Sequence, residues 1–192
     1  MKIAVLAGGL SPERTVSLSS GTLACNTFVQ AGHQAILLDL FFGMPELPGS
    51  VEELYARAHV LPDLAAIAAS RKAGYTDRIG LNVLEICREA DIVYMALHGA
   101  DGENGSIQAV FDKEGIRYTG SGPEGCRLAM EKNLSKALFD EADVLSPGWR
   151  LLRRGERCSL EDLPLPAVAK PNSGGSSIGI SIAHTRQELQ QA

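Results

Sequence analysis

Two glycine-rich segments and a few isolated ionisable residues hold the chemistry that can be read from this chain. Lys170-Pro-Asn-Ser-Gly-Gly-Ser-Ser-Ile-Gly179 sets two glycines directly before two hydroxyls. A loop of this kind can turn consecutive backbone N–H groups, with the hydroxyls of Ser176 and Ser177, toward a phosphate, while Lys170 adds charge at its edge. It lacks the Gly-x-x-x-x-Gly-Lys-Ser/Thr spacing of a Walker A loop, and a flexible hairpin turn accounts for its composition equally well. His98-Gly-Ala-Asp-Gly-Glu-Asn-Gly105 follows an apolar run, the place where open α/β sheets put their ligands, and its glycines admit close backbone approach. A glycine-rich turn with a solvated histidine is the plainer reading. Glu13 sits where an acid complements a helix dipole, and Lys132 reads locally as a solvated helix residue.

Gly120-Ser-Gly-Pro-Glu-Gly125 matches Gly-x-Gly-x-x-Gly, with Asp140 and Asp143 about 20 residues on, as a dinucleotide fingerprint asks. It is a decoy, because the fingerprint belongs after the first strand of a sheet and this copy comes after the fourth predicted one. Cys25, Cys87, Cys126 and Cys158 form no Cys-x-x-Cys pair and read as four reduced thiols.

The elements that must position these residues emerge from periodicity. Lys2 to Ala7 predicts a buried parallel strand ending at Gly8-Gly9. A helix comes next, with Ser11 as cap, Pro12 at its first helical position, a small or apolar stripe of Val16, Ser20, Leu23, Thr27 and Ala31 as its inner face, and Gly32 as its stop. Gln34 to Leu40 is a second strand. Residues 41–80 look like a surface excursion with two short helical patches and little chemistry. A helix from Ile79 to Arg88 leads to a strand over Asp91 to Leu97; Ile107, Val110 and Phe111 share a helix face that ends at Gly115, and Ile116 to Thr119 is a brief strand. Beyond Ala129 a helix marked by Leu134, Ala137, Leu138 and Ala142 precedes strands at Trp149–Arg153, Ala167–Lys170 and Ile178–Ala183, with a last helix from Arg186. The fold class is therefore α/β: an open parallel sheet, Rossmann-like, over residues 1–129, followed by the start of an α+β domain over 130–192.

With 192 residues, 45% apolar and 21% charged, the chain can bury a core of its own. Its net charge of −5 offers no basic field for nucleic acid or an anionic membrane, and no run approaches the roughly 18 apolar residues of a membrane span. A cytoplasmic location is expected.

Five segments together resemble one family. Leu6-Ala-Gly-Gly-Leu-Ser-Pro-Glu-Arg-Thr-Val-Ser17, Leu97-His-Gly-Ala-Asp-Gly-Glu-Asn-Gly-Ser-Ile-Gln108, Tyr118-Thr-Gly-Ser-Gly122, Met130-Glu-Lys132 and Lys170 to Gly179 are similar, in order, to the motifs of D-alanine-D-alanine ligases, which are ATP-grasp enzymes. The resemblance implies a pre-ATP-grasp substrate-binding domain over 1–129 and the opening of an ATP-grasp domain over 130–192. It implies that one D-alanine is phosphorylated by ATP and attacked by the amine of a second, for peptidoglycan precursors. Glu13 would then hold the first ammonium with support from Ser176, His98 would lie beside the reacting carboxyl, and Lys132, Lys170, Ser176 and Ser177 would hold ATP. It further implies a homodimer, and Mg2+ bound by carboxylates beyond Ala192, so that these residues alone are expected to lack ligase activity. No metal ligand is assigned within them. Glu131 stands where the family usually has Asp, and Ser173-Gly174 vary within it. Another ATP-grasp carboxylate-amine ligase, such as a D-alanine-D-lactate type, a noncatalytic binding domain and, last, a nicotinamide-dependent oxidoreductase are the rival readings.

Overall fold

The structure, a computed structural model, describes residues 1–47, 49–56, 78–156 and 159–192. It divides into two compact units, Met1–Arg127 and Leu128–Ala192.

The first unit is built on the parallel strands β1 (Lys2–Ala7), β2 (Gln34–Asp39) and β3 (Ile92–Met95), in the order β2-β1-β3. Lys2 pairs with Gln34 and Ala7 with Asp39, while Ile3 faces Ile92 and Leu6 faces Met95. As the middle strand, β1 is covered on both faces, which is why Ile3-Ala-Val-Leu-Ala7 is continuously apolar rather than alternating. Its period of two still sorts side chains between two cores. Ala4 and Leu6, with Ile36, Leu38 and Val93, face α2 (Val51–Ala56), α3 (Val83–Arg88) and α5 (Ser106–Glu114), through Leu54, Tyr55, Ile86, Ile107 and Phe111. Ile3, Val5 and Ala7, with Ala35 and Leu37, face α1 (Arg14–Gln30) through Cys25. The short helix α4 (Ala100–Glu103) and α6 (Pro123–Met130) complete the helices described in this part of the chain, and the division between the units falls inside α6.

The inner face of α1 differs from the sequence expectation. Val16 and Leu23 are exposed at 60% and 70%, and the buried positions are Ser17, Gly21 and Cys25. Size decides this. A Cβ built on Gly21 would lie 2.7 Å from the Ala7 Cβ and 3.1 Å from the Leu37 Cδ1, so the helix backbone rests almost directly on the sheet and bulky residues are turned outward. The helix also starts at Arg14, with Glu13 as N-cap residue. The Ser11 hydroxyl does accept a hydrogen bond, from the Glu13 N–H at 3.1 Å, but from outside the helix.

Other expectations shift in smaller ways. Helix α3 begins at Val83, not Ile79, because Gly43 and Leu81 form a parallel bridge and Asn82 takes a left-handed φ of 63°. Val51, Leu54 and Tyr55 make the described part of residues 41–80 a core element rather than a surface excursion; Tyr55 donates its hydroxyl to the Ile86 carbonyl at 3.1 Å. The second helical patch expected there lies outside the described residues. Ile116 to Thr119 contributes a bridge, with the Val93 N–H bonded to the Arg117 carbonyl and the Thr119 N–H to the Val93 carbonyl. Helix α5 ends at a left-handed Gly115, as the spacing predicts.

In the second unit α7 (Lys132–Glu141) is followed by the antiparallel pair β4 (Ala167–Ala169) and β5 (Ser181–Ala183), with Val168 opposite Ile182. Residues 149–153 form no strand. Their polar groups go to local partners: the Trp149 indole donates to Asp140, and the Arg153 N–H to Glu156. Ile178 to Ile180 likewise belong to a turn rather than to β5. Helix α8 (Arg186–Gln191) opens on a capping box between Thr185 and Glu188, and the His184 and Thr185 N–H groups hold the Glu188 carboxyl below its usual pKa. Among the described residues no helix is long and apolar enough to cross a membrane.

This packing has two measurable consequences. Gly21→Ala gains helix propensity but must force α1 off Ala7, and such overpacking costs about 1–3 kcal/mol. A fall in Tm of several degrees in thermal circular dichroism is expected, and a rise would contradict the close contact. Burial pushes the thiols of Cys25 and Cys87 up to about 11 and about 12. Folding thus favours their protonated forms, a contribution complete below pH 9 and lost as pH rises through those values. At pH 8 both should escape iodoacetamide in the native chain and react once unfolded, as peptide mass spectrometry would show; native labelling at the rate of a free cysteine peptide would refute the burial.

Candidate functional site

The carboxyl ends of β1 and β3 lie side by side, and two serines tie together the loops that leave them. The Ser17 hydroxyl, fully buried on α1, accepts from the Gly8 N–H at 2.8 Å and donates to the Ala96 carbonyl at 2.7 Å. The Ser11 hydroxyl, also buried, donates to the His98 carbonyl at 2.6 Å while accepting from the Glu13 N–H. Side chains of residues 11 and 17 thus hold the two loops to each other.

This arrangement brings two of the predicted site residues together. The Glu13 carboxylate packs on Gly99: a Cβ added there would collide with Glu13 Oε2 and come within 3.4 Å of Ser11. Gly99 has φ 66°, so both its conformation and its lack of a side chain are used. The half-buried His98 ring places Nε2 3.1 Å from the Ser20 hydroxyl and Nδ1 3.9 Å from Glu103 Oε1. A carboxylate, an imidazole and a hydroxyl at one rim can bind an ammonium and hold a proton donor near an anionic partner.

Behind the rim lies an ion pair that sequence reasoning missed. Asp39 ends β2 almost fully buried and accepts from Arg14 Nη1 and Nη2 at 3.2 and 2.5 Å and from the Phe41 and Phe42 N–H groups at 2.9 Å. Arg14 also donates to the Gly9 carbonyl at 2.7 Å and stacks 4.5 Å from the Phe42 ring centroid. The available signal was an aspartate closing an otherwise apolar strand. Ser17 gave none, since a serine in a helix reads as solvent-facing.

In the second unit the structure gathers Lys132 and the loop after β4. The Lys132 ammonium donates to the Gly174 carbonyl at 2.7 Å and the Asn172 carbonyl at 3.5 Å. Asn172, unremarked in the sequence, organises the contact: its carbonyl accepts the Lys132 N–H, its side chain exchanges hydrogen bonds with Asn133, and its amide donates to Glu131. Glu131 therefore works here as a loop acceptor. Lys170 is exposed, one residue past β4. Ser176 and Ser177 have φ of 52° and 60°, in a turn closed by the Ile178 N–H on the Gly175 carbonyl at 3.2 Å. Two successive left-handed residues closed by that bond fit a primed hairpin turn, with serines standing where Asn or Gly is usual, at a cost of roughly 1–2 kcal/mol each. A lysine ammonium held on the carbonyls of this loop, with Lys170 and two serines within the same loop, suits a polyphosphate. Among the described residues no three His, Cys, Asp or Glu side chains are grouped to hold a metal ion.

Residues 2–121 match the family model described as D-ala D-ala ligase N-terminus. The chain is 42% identical over 201 aligned positions to a D-alanine--D-alanine ligase of Lacticaseibacillus casei, covering 99% of this chain and 56% of that protein. It is 40% identical to a Pediococcus pentosaceus protein of the same name, covering 100% of this chain and 58% of that one. A solved D-alanine--D-alanine ligase from Bacillus anthracis, complexed with ATP, superposes with TM-score 0.67 at 25% identity, over 100% of this chain and 53% of the other. The chain therefore spans little more than half the length of these relatives.

The Ser17 linkage predicts its own test. Ser17→Ala strands a buried N–H and a buried carbonyl, each costing about 1–3 kcal/mol. A loss of at least about 2 kcal/mol in urea unfolding is expected; a change below about 0.5 kcal/mol would mean that the hydroxyl does not bridge the strand ends.

Proposed function

Because the chain belongs to the D-ala D-ala ligase N-terminus family, we propose that it forms the first part of an enzyme that joins two D-alanine molecules with ATP for peptidoglycan precursors. The observation that carries this reading is the placement of the Glu13 carboxylate and the His98 ring on two loops locked together at the carboxyl end of a parallel sheet. Glu13 takes the ammonium of the first D-alanine by a charge-assisted hydrogen bond. His98, in contact with the Ser20 hydroxyl, stands at the carboxyl end of that substrate, donating to the oxygen on which negative charge builds. Residues 1–129 serve as the substrate-binding domain and 130–192 as the beginning of the ATP-grasp domain.

In that second part Lys132 and Lys170 provide point charges for the phosphates of ATP, and Ser176 and Ser177 offer hydroxyls from the strained turn. Lys132 is already anchored to the loop carbonyls, so its charge is held at the loop rather than swinging in solvent. Mg2+, for which the described residues supply no ligand cluster, would on binding neutralise charge on the transferred phosphoryl group. The enzyme works as a cytoplasmic homodimer. The ATP bound in the Bacillus anthracis structure and the names of the similar proteins support this reading.

In the ligase carrying this chain, Glu13→Gln should raise KM for the first D-alanine about tenfold or more, because a hydrogen bond to a charged group is worth about 1.5–3 kcal/mol. Nucleotide affinity should not change. Lys170→Met should weaken binding of a nonhydrolysable ATP analogue in calorimetry and leave KM for D-alanine nearly unchanged. Absence of D-alanine-dependent phosphate release from the unmodified ligase, or wild-type D-alanine kinetics in Glu13→Gln, would overturn the assignment.

A further inference from the structure

Helix α7 is not closed by the side chain of its own cap residue. Glu131 stands at the N-cap in an extended conformation and makes no side-chain capping bond. Its main-chain carbonyl accepts the Leu134 and Ser135 N–H groups at 3.0 Å each, which leaves the first two donors of the helix to be satisfied from elsewhere. Asn172, 39 and 40 positions further on, takes both: its carbonyl accepts the Lys132 N–H at 2.9 Å and its Oδ1 the Asn133 N–H at 3.0 Å. The Asn172 amide nitrogen donates to the Glu131 carboxylate and, at 2.7 Å, to Asn133 Oδ1. Because Oδ1 receives an N–H while Nδ2 meets two acceptors, only one orientation of the amide satisfies all three bonds. An antiparallel bridge between Glu131 and Ser173 runs alongside.

We infer that Asn172 is a positioning residue for nucleotide binding: it closes α7 from the loop after β4 and so holds Lys132 and residues 172–174 in one arrangement before the phosphates of ATP arrive. This rests on the role proposed above for Lys132. All four leading N–H groups of α7 are taken, so the helix end has no donor left for an anion and the attraction falls to the Lys132 ammonium. That ammonium donates to the Gly174 carbonyl at 2.7 Å; having three N–H donors, it can keep this bond while giving another to a phosphate oxygen. The Asn172 side chain grips the residues on either side of Lys132, Glu131 and Asn133, and so fixes the backbone from which the lysine extends. Without that grip the lysine and the loop are ordered only as nucleotide binds, and immobilising one rotamer-rich side chain at that stage weakens affinity by up to about tenfold.

The test uses the ligase carrying this chain, with Kd for a nonhydrolysable ATP analogue and Mg2+ from calorimetry and KM for D-alanine at saturating ATP. Asn172→Leu keeps the shape of the side chain and removes its donors and acceptor; it should raise the analogue Kd by about threefold to tenfold and leave KM for D-alanine within about twofold. Loss of folded protein alone lowers the binding stoichiometry and kcat but not Kd, so a merely structural asparagine would leave Kd unchanged. Asn172→Asp sets a second carboxylate against Glu131 and should weaken analogue binding as well. Adding Glu131→Gln to it reverses donor and acceptor across the pair at the unmodified net charge, and should recover at least about threefold of the lost affinity. A smaller rise in Kd for Asn172→Leu, an equal rise in KM for D-alanine, or a smaller recovery in the double variant overturns the inference. If Asn172→Leu does not fold, the comparison of Asn172→Asp with the double variant decides alone. Lys132→Met separates this inference from the reading beneath it. Unchanged analogue affinity in Lys132→Met overturns the role of Lys132, whereas weakened binding there with none in Asn172→Leu overturns only the role of Asn172.

Discussion

The hydroxyl of Ser17 has no access to water, and both of its hydrogen bonds go to main chain at the exits of two different strands. It reaches them only because α1 lies close to the sheet, and α1 lies close only because Gly21 and its neighbours are small. A single methyl at position 21 meets the Ala7 Cβ, and a helix lifted by that contact would withdraw Ser17 from Gly8 and Ala96 together. The rim of the site is built on this approach. Ser11, Glu13 and Ser20 all belong to the same helix or its lead-in, so the register of α1 against the sheet sets where the Glu13 carboxylate and the His98 ring stand.

Electrostatics reinforces the same geometry. Asp39 is a buried carboxylate, and burying it alone would be costly; Arg14 and two backbone N–H groups compensate it. The guanidinium is directed by that partnership toward Asp39 and the Gly9 carbonyl, with the Phe42 face beneath it. Adjacent residues of one turn, Glu13 and Arg14, thereby point their opposite charges to different tasks, one at the rim and one behind it.

In the second unit a comparable economy appears around Asn172. Its backbone and side chain reach Lys132, Asn133 and Glu131, about forty positions away in the chain, and the same loop then passes through two left-handed serines. Backbone strain of this kind persists where surrounding contacts over-determine it. The ties from α7 to residues 172–174 provide such contacts at the start of the loop.

Much of the architecture was legible without coordinates, because burial on both faces leaves an unbroken apolar run and glycine marks where chains must turn. The spans of β1 and β2, the stop of α5 at Gly115 and a last helix beginning at Arg186 arise from such local chemistry. The resemblance to the family selects Glu13, His98 and the lysines as candidates from their motifs alone. The inner face of α1 was not legible: hydropathy ranks Val16 and Leu23 above Ser17 and Gly21, whereas the distance between helix and sheet admits only the small residues. Nor could residues 149–153 be resolved as non-strand, since their pattern is compatible with a strand but pairing needs a neighbour that no local pattern specifies. The roles of Ser11, Ser17 and Asn172 were hidden for the same reason. Each acts through at least one hydrogen bond to a group 39 to 87 positions away, and the type of a residue does not reveal which distant atom folding will bring against it.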